Sequence, residues 1–206
     1  MKRYFYIAVA LTVTLAMSAG CKKDEDKLTT QQTSTVRFLE SGHQPRLISE
    51  EAARESLDEN PEYYSVFDNE TYRYIATMYD DGRDSRTLVE AGDRVAIYFN
   101  AYVFAYSSIS NSTMPYWSNR PEVIAALENT GGGLDPEYWS SEPLVLVAGS
   151  TDVMKGVSRS LVGCREGDEV EVYMTYQAAY GSGIVGLVPK ESPVAWLFTV
   201  VSVTKQ

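Results

Sequence analysis

Tyr180 stands in the stretch AAYGSG, a bulky phenol set between two alanines and two glycines. Plain core packing is a poor use for such a residue, because a buried phenol has to find a hydrogen-bond partner. Few other residues have chemical potential. His43 is the only histidine, and no acidic cluster around it has ligand spacing. No metal site is therefore expected, and neither Ser-His-Asp nor Cys-His catalysis. No cofactor is implied. Cys21 and Cys164 are the only cysteines.

Tyr180 closes a run that begins at Asp152. Val153, Met154, Val157 and Leu161 share one helical face, and Gly163 ends it. After the turn REGDEV, Val170, Val172, Met174 and Tyr176 alternate with Glu169, Glu171, Tyr173 and Thr175, which is strand period. Upstream, DRVAIYFNAYVF turns Val95, Ile97, Phe99, Ala101 and Val103 one way; Tyr72, Tyr74 and Ala76 mark an earlier strand. PLVLVAG reads as a strand, and so does VAWLFTVVSV, with Val194, Trp196, Phe198 and Val200 on one face. The aggregate is α+β: an antiparallel twisted sheet with one short amphipathic helix against its inner face.

Two regions lie outside that plan. Residues 36–70 read as an N-terminal helical extension, with Val36 and Leu39 at helical spacing and a second helix capped by Ser49 and stopped at Asn60-Pro61. Residues 105–141 interrupt the sheet region, which spans 71–206. This insertion holds one helix, with Pro121 in its first turn and glycines at its end. An insertion of this length inside a β domain is usually functional or a lid.

The chain carries a formal net charge of −10, which opposes a nucleic-acid partner. A 44% hydrophobic content marks it as globular. Residues 1–20 have the layout of a signal peptide: Lys2 and Arg3, then an apolar run too short to span a bilayer comfortably, then small residues. The AGC ending at Cys21 resembles the lipobox of bacterial lipoproteins, although Ser18 stands where a leucine-like residue is usual. Lipidation of Cys21 and a membrane partner are what that resemblance implies. Residues 21–35 are polar and read as a tether. Their KKDEDK run resembles the surface-export signal of Bacteroidetes lipoproteins, and equally a solvated linker. Cys164 would then lack a disulfide partner and is expected as a buried free thiol.

From Glu90 onward the order of motifs resembles the FKBP-type peptidyl-prolyl cis-trans isomerases. AGDRVAIYFNAYVF looks like their first long strand, VMKG, GDEV and AYG follow in order, and VPKESPVAWLFTVVSV is similar to their closing loop and strand. The resemblance covers 90–104 and 142–206. It implies that Tyr180 donates a hydrogen bond to a substrate carbonyl inside a hollow between helix and sheet. It also implies that Phe99 and Leu144 are walls, that Val153 and Met154 line the hollow, that Val157 is the floor, and that Trp196 is the aromatic of the last strand. The implied partners are proline-containing polypeptide segments, met by a monomer.

Two positions depart from the family. Its floor tryptophan is Val157 here, and its pocket aspartate falls at Ala105 and Tyr106. Asp135 is a displaced equivalent or, more simply, a turn-capping residue. Weak turnover is the expectation. The alternatives are a non-catalytic peptide- or partner-binding lipoprotein, and a carbohydrate-binding one that stacks sugars on Tyr116, Trp117, Tyr138 and Trp139. Those four aromatics also read as lids over the pocket mouth.

Overall fold

The structure, a computed structural model, describes residues 24–206 apart from 111, 131, 132, 137, 152 and 153. Helix α1 covers 24–37 and runs into a single π turn, Phe38–Gly42. There follow β1 (Ile48–Ser49), α2 (Glu50–Arg54), β2 (Tyr63–Phe67), β3 (Thr71–Ile75), β4 (Arg94–Val103), β5 (Trp117–Ser118), α3 (Pro121–Asn129), β6 (Leu144–Val147), α4 (Lys155–Leu161), β7 (Glu169–Met174) and β8 (Val194–Thr204). The strands form one sheet in the order β1-β2-β3-β7-β8-β4-β5, with β6 also on β4. Every pair is antiparallel except β1–β2, so the sheet is mixed at that edge.

The inner face matches the alternation in the sequence. Val95, Ile97, Phe99 and Ala101 of β4, Val170, Val172 and Met174 of β7, and Trp196, Phe198 and Val200 of β8 form one core with Val157 and Leu161 of α4. Gly156 lets α4 approach closely: a Cβ there would lie 2.5 Å from the Met174 sulfur and 2.8 Å from Thr71 Oγ1. Asp168, in the turn before β7, is fully buried. It receives two bonds from Arg83, at 2.8 and 2.7 Å, and one from the Arg165 amide at 2.7 Å. Cys164 is a buried free thiol whose pKa burial pushes up to about 11.

The outer face departs from expectation. A second core gathers Phe38, Leu39, Leu47, Tyr64, Tyr72, Tyr74, Phe104 and Tyr173 there. The molecule therefore has three layers, with the N-terminal segment over the sheet's second face. At the end of β4 this reverses the burial pattern: Tyr102 and Phe104 are covered and Val103 is exposed.

The N-terminal assignments need correction accordingly. Most of the 21–35 tether is helix from residue 24, and the 36–70 extension contains two strands as well as the five-residue α2. Ser49 does cap α2, accepting from the Ala52 amide at 3.2 Å. The helix stops at Arg54 because Leu57, its next apolar residue, is fully exposed and packs on nothing.

Candidate functional site

The AYG turn is built from backbone constraints. The Gly181 amide donates to the Tyr176 carbonyl at 2.7 Å, and Gly181 sits at φ +67°, a conformation costly for any other residue. The Ala178 carbonyl meanwhile accepts from the Gly156 amide at 3.1 Å, tying the turn to the start of α4. Tyr180 is left half-buried, packed against the main core.

Its hydroxyl lies 3.2 Å from that of Tyr116, which comes from the insertion. The Trp196 indole N–H donates to the same Tyr116 oxygen at 2.9 Å. Proton accounting follows from the groups present. The indole proton is used on Tyr116, and a single phenol–phenol contact uses one of the two phenol protons. Whichever way that contact points, one phenol proton is left to donate. Burial raises the pKa of both phenols. The Tyr180 charge reinforces this at Tyr116, and at Tyr180 the Tyr116 hydrogen bond only partly offsets it, so both remain protonated at neutral pH.

This pair lines a cleft of about 530 Å³, walled by Tyr116, Trp117, Tyr138, Trp139, Tyr180, Val185 and Leu187. The insertion reaches it through β5, whose Trp117 and Ser118 pair with Ala101 and Asn100 of β4. Asn119 locks that pairing. Its side chain accepts from the Phe99 amide at 2.7 Å and donates to the Ile97 and Glu142 carbonyls at 2.9 and 3.0 Å. The Trp117 indole donates to the Tyr138 carbonyl at 2.8 Å, holding the two aromatic segments of the insertion together. From the other side, Val185 and Val188 exchange backbone bonds across Gly186, and Val188 is buried, which presents Val185 and Leu187 to the cleft.

Of the described residues expected to line the hollow, only Tyr180 lines this cleft. Phe99 and Trp196 are stacked at 4.3 Å between ring centroids but are almost fully buried. Trp117 lies edge-on to both, at 4.7 and 5.5 Å. They are thus sealed beneath the insertion rather than forming open walls. Val157 is completely buried and serves the core, not a pocket floor. Leu144 and Met154 are half-buried against that core. Val153 and Cys21 lie outside the described residues. Ala105 is exposed, and Tyr106 packs on Phe104 beside the outer core. The Asp135 carbonyl accepts from the Tyr138 and Trp139 amides, and its side chain is not part of the cleft lining. Tyr116, Trp117, Tyr138 and Trp139, the four aromatics singled out in the insertion, all line the cleft. Missed altogether were Val185, Leu187 and Asn119. The apolar run IVGLV inside a glycine-containing loop was the available signal for the first two.

A mixed sheet holding a short helix, with an ordered run of turn motifs around a phenol-lined apolar cleft, defines a class of protein, and sequence comparison gives the family. The family model for FKBP-type peptidyl-prolyl cis-trans isomerases matches residues 86–201, more than half of the chain, and the chain belongs to that family. Among solved structures it is similar to the three FKBP domains of wheat FKBP73, at 16% identity and a TM-score of 0.47, over 68% of this chain and 49% of that one. The chain thus spans about half the length of that relative. No curated protein matches.

Proposed function

We propose that this protein catalyses cis–trans isomerisation of X-Pro bonds in exported polypeptides, weakly and as a monomer. The observation that carries the reading is the unspent phenol proton at the edge of an apolar, aromatic-walled cleft. Rotating an X-Pro amide faces a barrier of roughly 20 kcal/mol, because resonance is lost at the twisted geometry. A water-poor cleft favours the twisted, less dipolar amide, and the phenol donor holds the adjoining carbonyl. Trp117 supplies the aromatic surface that Val157 does not. No carboxylate lines the cleft among the described residues, which supports the expectation of weak turnover. Among the described residues the lining also has no amide or charged side chain to grip sugar hydroxyls, which weighs against a glycan-binding role.

The test is a proline-turnover assay on wild type, Tyr180→Phe and Trp117→Ala with one peptide series. Turnover that falls tenfold or more in each variant, without loss of folding, is expected. Peptide binding with no wild-type turnover would leave a binding module instead. For location, we propose that Cys21 is acylated and holds the protein in the cell envelope. Cys21→Ala should move it to the soluble fraction, and retention with membranes would refute the anchor.

A further inference from the structure

The loop that carries Tyr180, Val185 and Leu187 leaves the sheet after Met174 and returns at Val194, with Tyr176 and Glu191 near its two ends. Both ends meet the same side chain. Gln31 of α1 is buried; its Oε1 accepts from the Tyr176 amide at 2.9 Å and its Nε2 donates to the Glu191 carbonyl at 3.0 Å. One turn earlier, Lys27 donates to the Glu191 carboxylate at 2.6 Å. Glu191 itself sits at φ +53°, a left-handed conformation that a non-glycine residue keeps only when its surroundings enforce it. Its carbonyl and its carboxylate are both held by α1. Thr35, also buried, donates back to the Gln31 carbonyl at 2.8 Å and keeps that turn of helix in place.

From this we infer that α1, which precedes the residues matched by the family, is a clamp on the cleft loop, and that Gln31 is a positioning residue for the site. The inference rests on the cleft being the substrate site proposed above. Between its clamped ends the loop is held by buried Ala178, whose carbonyl accepts from the Gly156 amide, and by buried Val188, while Ser182 through Leu187 are exposed. If the clamp opens, the loop populates arrangements in which Tyr180 and Val185 no longer face the insertion. A ligand then has to select the competent fraction, so apparent affinity falls by that fraction while the saturated rate is kept.

The test uses the full chain and three variants. Gln31→Met keeps the side-chain length and packing but removes both hydrogen bonds. Lys27→Met removes only the part-buried ion pair, and guards against a Gln31 variant that does not fold. Gln32→Ala is the control: it loses a bond from the same helix, to the Asn69 carbonyl, that does not touch the loop. Amide exchange across 177–193 and the KM and kcat for an X-Pro tetrapeptide are measured. Gln31→Met is expected to speed loop exchange and raise KM roughly fivefold, with kcat within about twofold. Lys27→Met should give a smaller change in the same direction, and Gln32→Ala should move neither quantity. Loop exchange at wild-type rates in both Gln31→Met and Lys27→Met, or an equal change in Gln32→Ala, overturns the clamp. Faster loop exchange in a protein whose wild type shows no turnover leaves the clamp standing and removes the isomerase reading.

Discussion

The two faces of the sheet are built on different chemistry. The inner face is aliphatic and aromatic and sealed by a seven-residue helix; it buries the Cys164 thiol, and at its edge Asp168 meets Arg83. The outer face is a field of tyrosines whose hydroxyls reach polar groups. Tyr173 donates to Glu171 at 2.5 Å, Tyr64 to Glu40 at 3.1 Å, and Tyr72 to the Asn69 carbonyl at 3.3 Å. His43 joins this field, with Nε2 2.9 Å from Glu171 and Nδ1 2.5 Å from the Pro45 carbonyl. Both ring nitrogens face acceptors, an arrangement that an imidazolium satisfies and a neutral ring satisfies only by half. The inner face therefore owes its stability to burial and to one ion pair at its edge, and the outer face owes part of its stability to protonation.

Four measurements would break or sharpen that contrast. The largest effect is expected at the inner edge. Asp168→Ala leaves the Arg83 guanidinium buried without its partner and should cost about 3–5 kcal/mol in denaturant unfolding. Leu39→Ala, a cavity in the outer core, should cost about 2–5 kcal/mol. Exchange rates should show that loss centred on β2 and β3 and not on α4. Val157→Trp, which would restore the family's floor residue in an open pocket, is expected to overpack the inner core by about 1–3 kcal/mol and to give no gain in turnover. A gain would mean that the insertion does not seal Phe99 and Trp196.

The smallest effect separates the faces by pH. Burial alone would lower the His43 pKa, but the hydrogen bonds to Glu171 and the Pro45 carbonyl, with the charges of Glu171 and Glu62, raise it above 6.5. A raised folded pKa means a contribution fully present below about pH 6.5 and lost as pH rises through the folded value. Tyr74 and Tyr173 also pack on the ring, but burial pushes their pKa values up, so they stay neutral across this window. Urea melts should weaken from pH 6 to 8.5 in wild type and lose that component in His43→Gln. An unchanged slope would rule out the imidazolium.

The inner face was legible because strict period-two alternation in β4, β7 and β8 has one physical explanation. Pro121 and Ser49 likewise announced the starts of α3 and α2. Helix α1 was not legible. Its buried side is made of Gln31 and Thr35, polar residues whose burial is offset by hydrogen bonds to distant backbone, and no hydrophobic periodicity records such an arrangement. In β7 the alternation marked Glu169, Glu171, Tyr173 and Thr175 only as the other face of the strand, and it did not record that Tyr173 and Thr175 are buried. In the site, Tyr180 stood out because its neighbours are small. The sealing of Phe99 and Trp196 did not, because it depends on Asn119 substituting for strand partners twenty residues away along the chain.

Helix α1 also sets a leash. On the proposed acylation of Cys21, the path from the lipid to Lys27 is three residues at full extension and one turn's worth of helix, on the order of 15 Å. Lys27 holds Glu191 at the end of the cleft loop. On that proposal, a domain fastened so short would keep its cleft mouth near the membrane surface.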